Sequence, residues 1–215
     1  MECDESNCGQ QICRADICNM KNSGVGCSKQ LCENAKVCTM HLGCSNDDCE
    51  QSCKATTCDM ECSGDRCTKQ ACEDAKVCTM HLGCSKDDCE QSCKATTCDM
   101  KCSGGRCTKQ LCENANVCTM HLGCSTEDCE QSCKATTCDM ECSGGRCTKQ
   151  LCENAKVCNM HLGCSRGDCQ QSCKATTCDM ECSGGRCTKQ LCEEAKVCNM
   201  HCNGDNCAQT CRATT

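Results

Sequence analysis

The amino-acid sequence predicts an all-β protein, a single parallel β-solenoid (β-helix) of about 20-residue coils stapled by intra-coil disulfides. Three observations predict this class. Cysteine makes up 42 of the 215 residues, a share typical of disulfide-rich proteins. One column of cysteines recurs every 20 residues without a slip, from Cys18 to Cys198, and such a period is typical of solenoids. The chain also has no Phe, Trp, Tyr or Pro, so an ordinary core of large apolar side chains cannot form.

The full repeat is 40 residues long and consists of two similar halves of 20 residues. One half starts at Cys38 and the other at Cys58, and each carries four cysteines. We call these positions the first to fourth cysteine columns. The spacings within the two halves differ but their total length does not, which indicates that each half returns the chain to the same position around an axis. We therefore predict one domain, residues 1–215, of about eleven stacked coils.

The segment around each first-column cysteine predicts a strand. Ala precedes this cysteine by three residues, Val or Thr precedes it by one, and Met follows by two, as in Ala35, Val37 and Met40. Alternation and a β-branched position favour a strand, and segments this short are unstable as helices. Ser-Gly-Gly-Arg at 143–146 and Leu-Gly at 162–163 predict turns. Strands about 4.8 Å apart would give a rod roughly 50 Å long.

Two further columns predict the interior of the solenoid. A glutamine lies two residues before each fourth-column cysteine, as in Gln30 and Gln51. Residues two apart on a strand point the same way, so we expect these amides to form a buried ladder along the axis. A solvated face is the alternative. The methionines are expected to fill the core between disulfides, with a soft-metal or oxidant-scavenging stripe as the alternative.

One column holds histidine in every second coil. Its members are His41, His81, His121, His161 and His201. Histidines two coils apart would lie about 9.5 Å apart, and Lys or Glu occupies the coils between them. We therefore predict a surface charge ladder here, and no metal site. Lys69 and Glu73 belong to other charged columns that predict solvated faces.

Disulfide connectivity cannot normally be read from a sequence, but irregular positions near the ends narrow the choice. Asn22 stands where the second column would have a cysteine. Pairing column one with column two, and three with four, leaves only Cys3 and Cys18, which lie in adjacent coils and could bridge each other. Pairing column four forward with column one, and two with three, strands Cys27 and Cys211 at opposite ends. We favour the first scheme as a hypothesis.

This scheme carries a geometric condition. Bridged Cα atoms must lie within about 7 Å of each other, whereas five extended residues span about 16 Å. Each bridged pair would therefore have to flank a turn or face across a flattened coil. The pairs assigned through residue 102 are Cys3 with Cys18, Cys8 with Cys13, Cys27 with Cys32, Cys38 with Cys44, Cys49 with Cys53, Cys58 with Cys62, Cys67 with Cys72, Cys78 with Cys84, Cys89 with Cys93, and Cys98 with Cys102.

Composition argues against several classes of function. The formal charge of −7 disfavours nucleic-acid binding, which needs a positive surface. No apolar run approaches the roughly 20 residues that span a bilayer, so we expect no membrane insertion. No nucleophile elbow, phosphate loop or dinucleotide fingerprint is present, and acid pairs such as Asp47 and Asp48 recur in several coils. We therefore predict no enzyme activity and no cofactor.

Oxidised cysteines on this scale require an oxidising compartment. We therefore expect an extracellular or similar location. The chain shows no signal-peptide pattern, so residue 1 is expected to lie at the mature end of a secreted protein.

High cysteine content without aromatic residues also describes metallothioneins. Thiolate metal sites usually use close spacings such as Cys-x-Cys, Cys-Cys or Cys-x-x-Cys. This chain has none of the three, and its shortest spacing is that of Cys49 and Cys53. The resemblance to metallothioneins is therefore compositional, and metal binding stays an alternative function.

The architecture resembles the disulfide-rich β-solenoid antifreeze proteins of beetles, whose coils stack a Thr-x-Thr array on one flat side. In this chain Thr57 and Thr97 recur only every second coil, and the position two residues on is Asp59 or Asp99. The resemblance thus covers the architecture and not the motif, and ice binding is a second alternative.

The function that the sequence favours is a non-enzymatic structural rod, rigid and secreted. The last residues close a coil without a distinct polar cap, and uncapped solenoids tend to stack. We therefore expect the rod to assemble end to end with copies of itself, or to present a periodic binding surface to a ligand that the sequence does not identify.

Overall fold

The computed structural model describes residues 9–23, 28–45, 48–86, 88–124, 128–144, 146–166, 168–184, 186–204 and 206–213. In this part of the chain thirteen strands form one sheet, and all their pairings are parallel. The disulfide-rich parallel β-solenoid is therefore confirmed. The strands are β1 Gln10–Cys13, β2 Ile17–Asn22, β3 Lys29–Cys44, β4 Cys49–Gly64, β5 Cys67–Gly83, β6 Cys89–Ser103, β7 Cys107–Gly123, β8 Cys129–Ser143, β9 Cys147–Gly163, β10 Cys169–Ser183, β11 Cys187–Ala195, β12 Val197–Cys202 and β13 Ala208–Ala213.

The register between coils follows the 20-residue clock. Cys38 pairs with Cys58, and Cys58 with Cys78, across β3, β4 and β5. Ala35 pairs with Ala55 in the same way. Each sequence column is therefore a physical row along the axis, with one rung in each coil.

Each long strand bends once and supplies two sides of a coil. In β4 the first side includes Gln51 and the second side includes Glu61. The amide Nε2 of Gln51 donates a hydrogen bond to the backbone carbonyl of Glu61 at 2.9 Å, so the two sides face each other across a narrow interior. The bend itself lies between Cys53 and Cys58, whose Cα atoms are 6.1 Å apart. Extended chain of this length would span about 16 Å.

The bends alternate between two forms, which explains why the repeat has two unlike halves. The bend from Cys32 to Cys38 is one residue longer than the bend from Cys53 to Cys58. The extra residue, Asn34, has a φ of 59° and is skipped in the pairing with β4, as in a β-bulge. Asparagine tolerates this left-handed conformation better than most residues. The equivalent residues are Asp74, Asn114, Asn154 and Glu194.

A second change of direction, the turn, separates the long strands from each other. Gly104 follows β6 with a φ of 116°, and a Cβ atom at this position would overlap the carbonyl oxygen of Cys84 in the preceding coil. Only glycine fits this close approach. The predicted turn at 143–146 is consistent with this geometry, because Gly144 has a φ of 114°. The turn predicted at Leu162–Gly163 is wrong, because β9 continues through Gly163.

The favoured disulfide scheme is wrong. Column four pairs forward with column one across each bend, as in Cys53–Cys58, and column two pairs with column three across each turn, as in Cys62–Cys67. The predicted partners lie along the straight sides of a coil, where extended chain separates them too far for a bridge. The observed Cα–Cα distances are about 6 Å, for example 6.0 Å for Cys62–Cys67.

The corrected pairing applies to most of the assigned cysteines. Cys3, Cys8 and Cys27 lie outside the described residues. The observed bridges through residue 107 are Cys13–Cys18, Cys32–Cys38, Cys44–Cys49, Cys53–Cys58, Cys62–Cys67, Cys72–Cys78, Cys84–Cys89, Cys93–Cys98 and Cys102–Cys107.

Two rows of cystine form the core. The bend cystines pack with the methionine and alanine columns, and Met60 and Met120 are fully buried. The turn cystines pack with Leu42 and its equivalents in every second coil. The methionine column is therefore core, as expected. Within the described residues, no helix is both long and apolar enough to cross a membrane.

Candidate assembly surface

The glutamine column forms the predicted amide ladder. Gln110 is fully buried, and its Nε2 donates to Gln91 Oε1 at 2.8 Å. The same nitrogen lies 3.1 Å from the carbonyl oxygen of Met100 and 3.0 Å from that of His121. The ladder therefore ties each coil to the preceding coil and also ties the two sides of a coil together.

Every bond of this ladder points in the same direction along the axis. Each Nε2 donates to the Oε1 of the glutamine one coil nearer the N-terminus, from Gln30 donating to Gln11 through to Gln209 donating to Gln190. The ladder consequently has unlike ends. Gln11 offers a donor, and Gln209 offers an acceptor.

The N-terminal end of the ladder has a donor without a partner among the residues that the structure describes. Gln11 is 2% exposed, and its Nε2 makes no hydrogen bond within that part of the chain. A buried amide nitrogen without an acceptor costs free energy. The neighbouring core residues Cys18 and Met20 are also buried, so this end of the described chain is well covered.

The C-terminal end of the described chain is open. All six residues of β13 are exposed, and β12 alternates between exposed and half-buried residues. Met200 is half-buried, whereas its register partner Met180 is fully buried. Cys211 is exposed and is the free cysteine of the described chain. This coil therefore presents a strand edge and a strip of core-type side chains to solvent.

The lateral faces carry rows of alternating charge. Lys54 Nζ lies 2.7 Å from Glu73 Oε2, and both side chains are about half exposed. The hydrogen bond and the attraction of the partner charge lower the pKa of Glu73 and raise the pKa of Lys54. Each such pair joins two neighbouring coils, so the two opposite charges neutralise each other where the coils stack.

The histidine column lies on a lateral face. His41 Nδ1 is 3.0 Å from Glu61 Oε2, and His121 Nε2 is 3.5 Å from Glu141 Oε2. These side chains are about half exposed, in agreement with a surface ladder of charge. Ser103 and Gly123 belong to the adjoining row, and the two rows line a shallow open groove.

The face considered for ice binding has no continuous threonine row. Asp59 pairs in register with Thr39 on one side and Thr79 on the other. The outward position one residue before the first-column cysteine alternates Val77 with Thr97. Every second rung of the row that contains Thr79 is thus charged in this part of the rod.

Comparison with protein-family models, with curated proteins and with solved structures finds no match. The cystine core and the glutamine ladder were predictable from the sequence, whereas the common direction of the ladder's hydrogen bonds was not. The only signal for that polarity would have been the direction of each side-chain amide, which spacing does not encode.

Proposed function

We propose that this protein is a non-enzymatic, secreted structural rod that assembles head to tail with copies of itself. The single observation that carries the proposal is the pair of unlike ladder ends. The C-terminal coil exposes a continuing strand edge with the acceptor of Gln209, and the N-terminal coil holds the donor of Gln11, which has no partner within the described chain.

A second copy is the occupant that best matches the open coil. Successive coils already stack by pairing Gln190 with Gln209, and Leu191 with Thr210, in parallel register. The N-terminal β1 has a related sequence, with Gln11 in the glutamine column. Because Gln11 is buried at the covered N-terminal end, assembly requires that end to open. Placing Gln11 of one copy over Gln209 of another would then continue the ladder in the same direction and give the Gln11 nitrogen an acceptor.

The disulfides support the rigid and extracellular parts of the proposal. Nineteen bridges join cysteines five or six residues apart in the described residues. Bridges in these numbers indicate an oxidising environment. Each short loop contributes about 2 kcal/mol in the chain-entropy model.

Assembly is tested by placing a charge on the open coil. Met200→Lys puts an ammonium group where the joint would exclude water, while Val117→Lys adds the same charge to an exposed lateral position. Both are made in a Cys211→Ser background, which removes the exposed free thiol of the described chain. We expect concentration-dependent filaments for the background and for Val117→Lys, and monomers for Met200→Lys, by light scattering and electron microscopy.

Two outcomes would contradict the proposal. One is a background protein that stays monomeric across salt and pH. The other is a Met200→Lys protein that forms filaments as readily as Val117→Lys, because the open coil would then not be the joint.

A further inference from the structure

Two turn cystines of neighbouring coils approach each other and form a group of four sulfur atoms. Cys84 Sγ lies 3.8 Å from Cys102 Sγ and 3.4 Å from Cys107 Sγ, and Cys89 Sγ lies 4.0 Å from Cys102 Sγ. All four cysteines are buried, and their sulfur atoms lie within 4.8 Å of one another. We name this group the sulfur quartet.

Close approaches of the same kind recur with the 40-residue period. Cys124 Sγ lies 3.5 Å from Cys142 Sγ and 3.2 Å from Cys147 Sγ, and Cys164 Sγ lies 3.7 Å from Cys182 Sγ and 3.5 Å from Cys187 Sγ. In the described chain, the group of four within 4.8 Å is the one at Cys84, Cys89, Cys102 and Cys107.

Leucine side chains lie on both sides of the quartet along the axis. Leu82 pairs in register with Cys102, and Cys102 pairs in register with Leu122. Both leucines are buried in the same cluster as the quartet cysteines. The quartet therefore lies in an apolar shell that excludes water.

We propose that the quartet of Cys84, Cys89, Cys102 and Cys107 is a latent four-thiolate site for Zn²⁺ or Cd²⁺, which reduction of its two disulfides opens. A tetrahedral zinc site with Zn–S bonds of about 2.3 Å places its sulfur atoms about 3.8 Å apart. The distances between the two coils of the quartet, 3.4 to 4.0 Å, already lie near this value. Only the two covalent S–S bonds hold their sulfur atoms closer.

The chemistry balances with a dithiol as the reductant. Two dithiol molecules become two cyclic disulfides and convert the two cystines of the quartet to four thiols. Binding of one divalent cation then releases four protons to solvent, because thiolate is the ligand. The metal replaces two disulfides, each within one turn, with one site whose four ligands come from both coils.

Other cystines of the chain supply a comparison. Their close groups contain three cysteines, as in Cys98, Cys112 and Cys118 at a bend and Cys44, Cys62 and Cys67 at a turn. A three-sulfur group lacks the fourth thiolate that closes a structural zinc site. Motif searching misses the quartet because its ligands come from two coils, with four intervening residues in each Cys pair.

Two double variants of the full chain test the proposal in a Cys211→Ser background. Cys84→Ser with Cys89→Ser removes half of the quartet. Cys93→Ser with Cys98→Ser removes one bend cystine and leaves all four cysteines of the quartet in place. Each protein is first shown to have the oxidised β signal by circular dichroism. It is then reduced with a phosphine that does not bind zinc, loaded with Zn²⁺, and challenged with a chromophoric chelator.

The readout is the number of zinc ions retained, counted by native mass spectrometry. We expect the quartet variant to retain one zinc ion fewer than the background, and the bend variant to retain the same number as the background. Replacing Zn²⁺ with Co²⁺ should give the visible bands of tetrahedral thiolate coordination, reduced in the quartet variant alone.

Equal loss of zinc in the two variants, or no zinc retained by the background, would overturn the proposal. The experiment uses the reduced protein, whereas filament formation is measured on the oxidised protein. Failure of one proposal is therefore distinguishable from failure of the other.

Discussion

The interior coils and the C-terminal coil have nearly the same sequence but different environments. Met120 is fully buried, while Met200, in the same column, is half-buried. Gln110 is buried and ties Gln91 to two carbonyl groups, while Gln209 is exposed and bonds Gln190 and Met200. The contrast shows that the methionine and glutamine columns lose their burial at the C-terminal coil, beyond which no described coil is stacked.

We expect the greatest difference in stability between Met120→Lys and Met200→Lys. An ammonium group at position 120 would be buried between cystines without a partner, so we expect a loss of about 5 kcal/mol in the free energy of unfolding. At position 200 the group can reach water, and we expect a loss of about 1 kcal/mol. Guanidinium unfolding of dilute, oxidised protein measures both. Equal losses would show that the two coils are equally enclosed in solution.

A smaller effect is expected from replacing the ladder amide. Gln110→Leu leaves Gln91 Oε1 and two backbone carbonyls without this donor, so we expect a loss of about 3 kcal/mol. Gln209→Leu removes one donor from Oε1 of the buried Gln190 and one from the carbonyl of Met200, while Gln209 itself is exposed, so its cost should be smaller, about 1 kcal/mol.

The two glutamine variants should also differ in how readily the protein assembles. If head-to-tail contact covers Gln209, the Gln209→Leu variant should need a higher protein concentration to form filaments, because binding energy is lost in the joint. Hydrogen exchange of the terminal coils before and after assembly is the measurement. A terminal coil that exchanges at the same rate in both states would mean that the ladder end is not covered.

The smallest effect concerns the lateral ion pairs, which do not depend on the position of a coil in the rod. The pKa of Glu73 is lowered from its usual 4.5, so its contribution is present above that pH and is lost as pH falls through the lowered pKa. The pKa of Lys54 is raised from 10.5, so its contribution is present below that pH and is lost as pH rises through the raised pKa.

Glu73→Gln should therefore lower the melting temperature between these limits and have no effect at strongly acidic pH. Because the pair is exposed, we expect a change of about one degree that disappears in high salt. Glu50→Gln, at the longer contact of 3.8 Å between Lys29 and Glu50, is the matched control and should change the melting temperature less. A larger effect in the control would mean that the short contact does not form in solution.

The sequence predicted the features that depend on period alone. The 20-residue clock places cysteine, methionine, alanine and glutamine in rows, and the structure stacks the rows in register. The charged columns were also predictable, because residues two apart on a strand share a face.

Connectivity was not predictable from period, because it depends on where each coil bends. The residues from Cys53 to Cys58 form a bend, and those from Cys49 to Cys53 a straight side. Counting orphan cysteines favoured the wrong scheme, since it treated Cys211 as a residue that must be paired. The sulfur quartet was not predictable for the same reason. Its four cysteines come together only when the positions of the turns and the stacking of two neighbouring coils are both known.

The one-way amide ladder has an electrostatic consequence for the whole rod. The side-chain dipoles from Gln11 to Gln209 all point along the axis with the same sense, so they add as peptide dipoles add in a helix. Two rods lying side by side are therefore favoured when antiparallel, while two rods in line are favoured when they share one direction. A suspension of single rods should align in an electric field, and a transient drop in its birefringence when the field is reversed would report a permanent dipole along the rod.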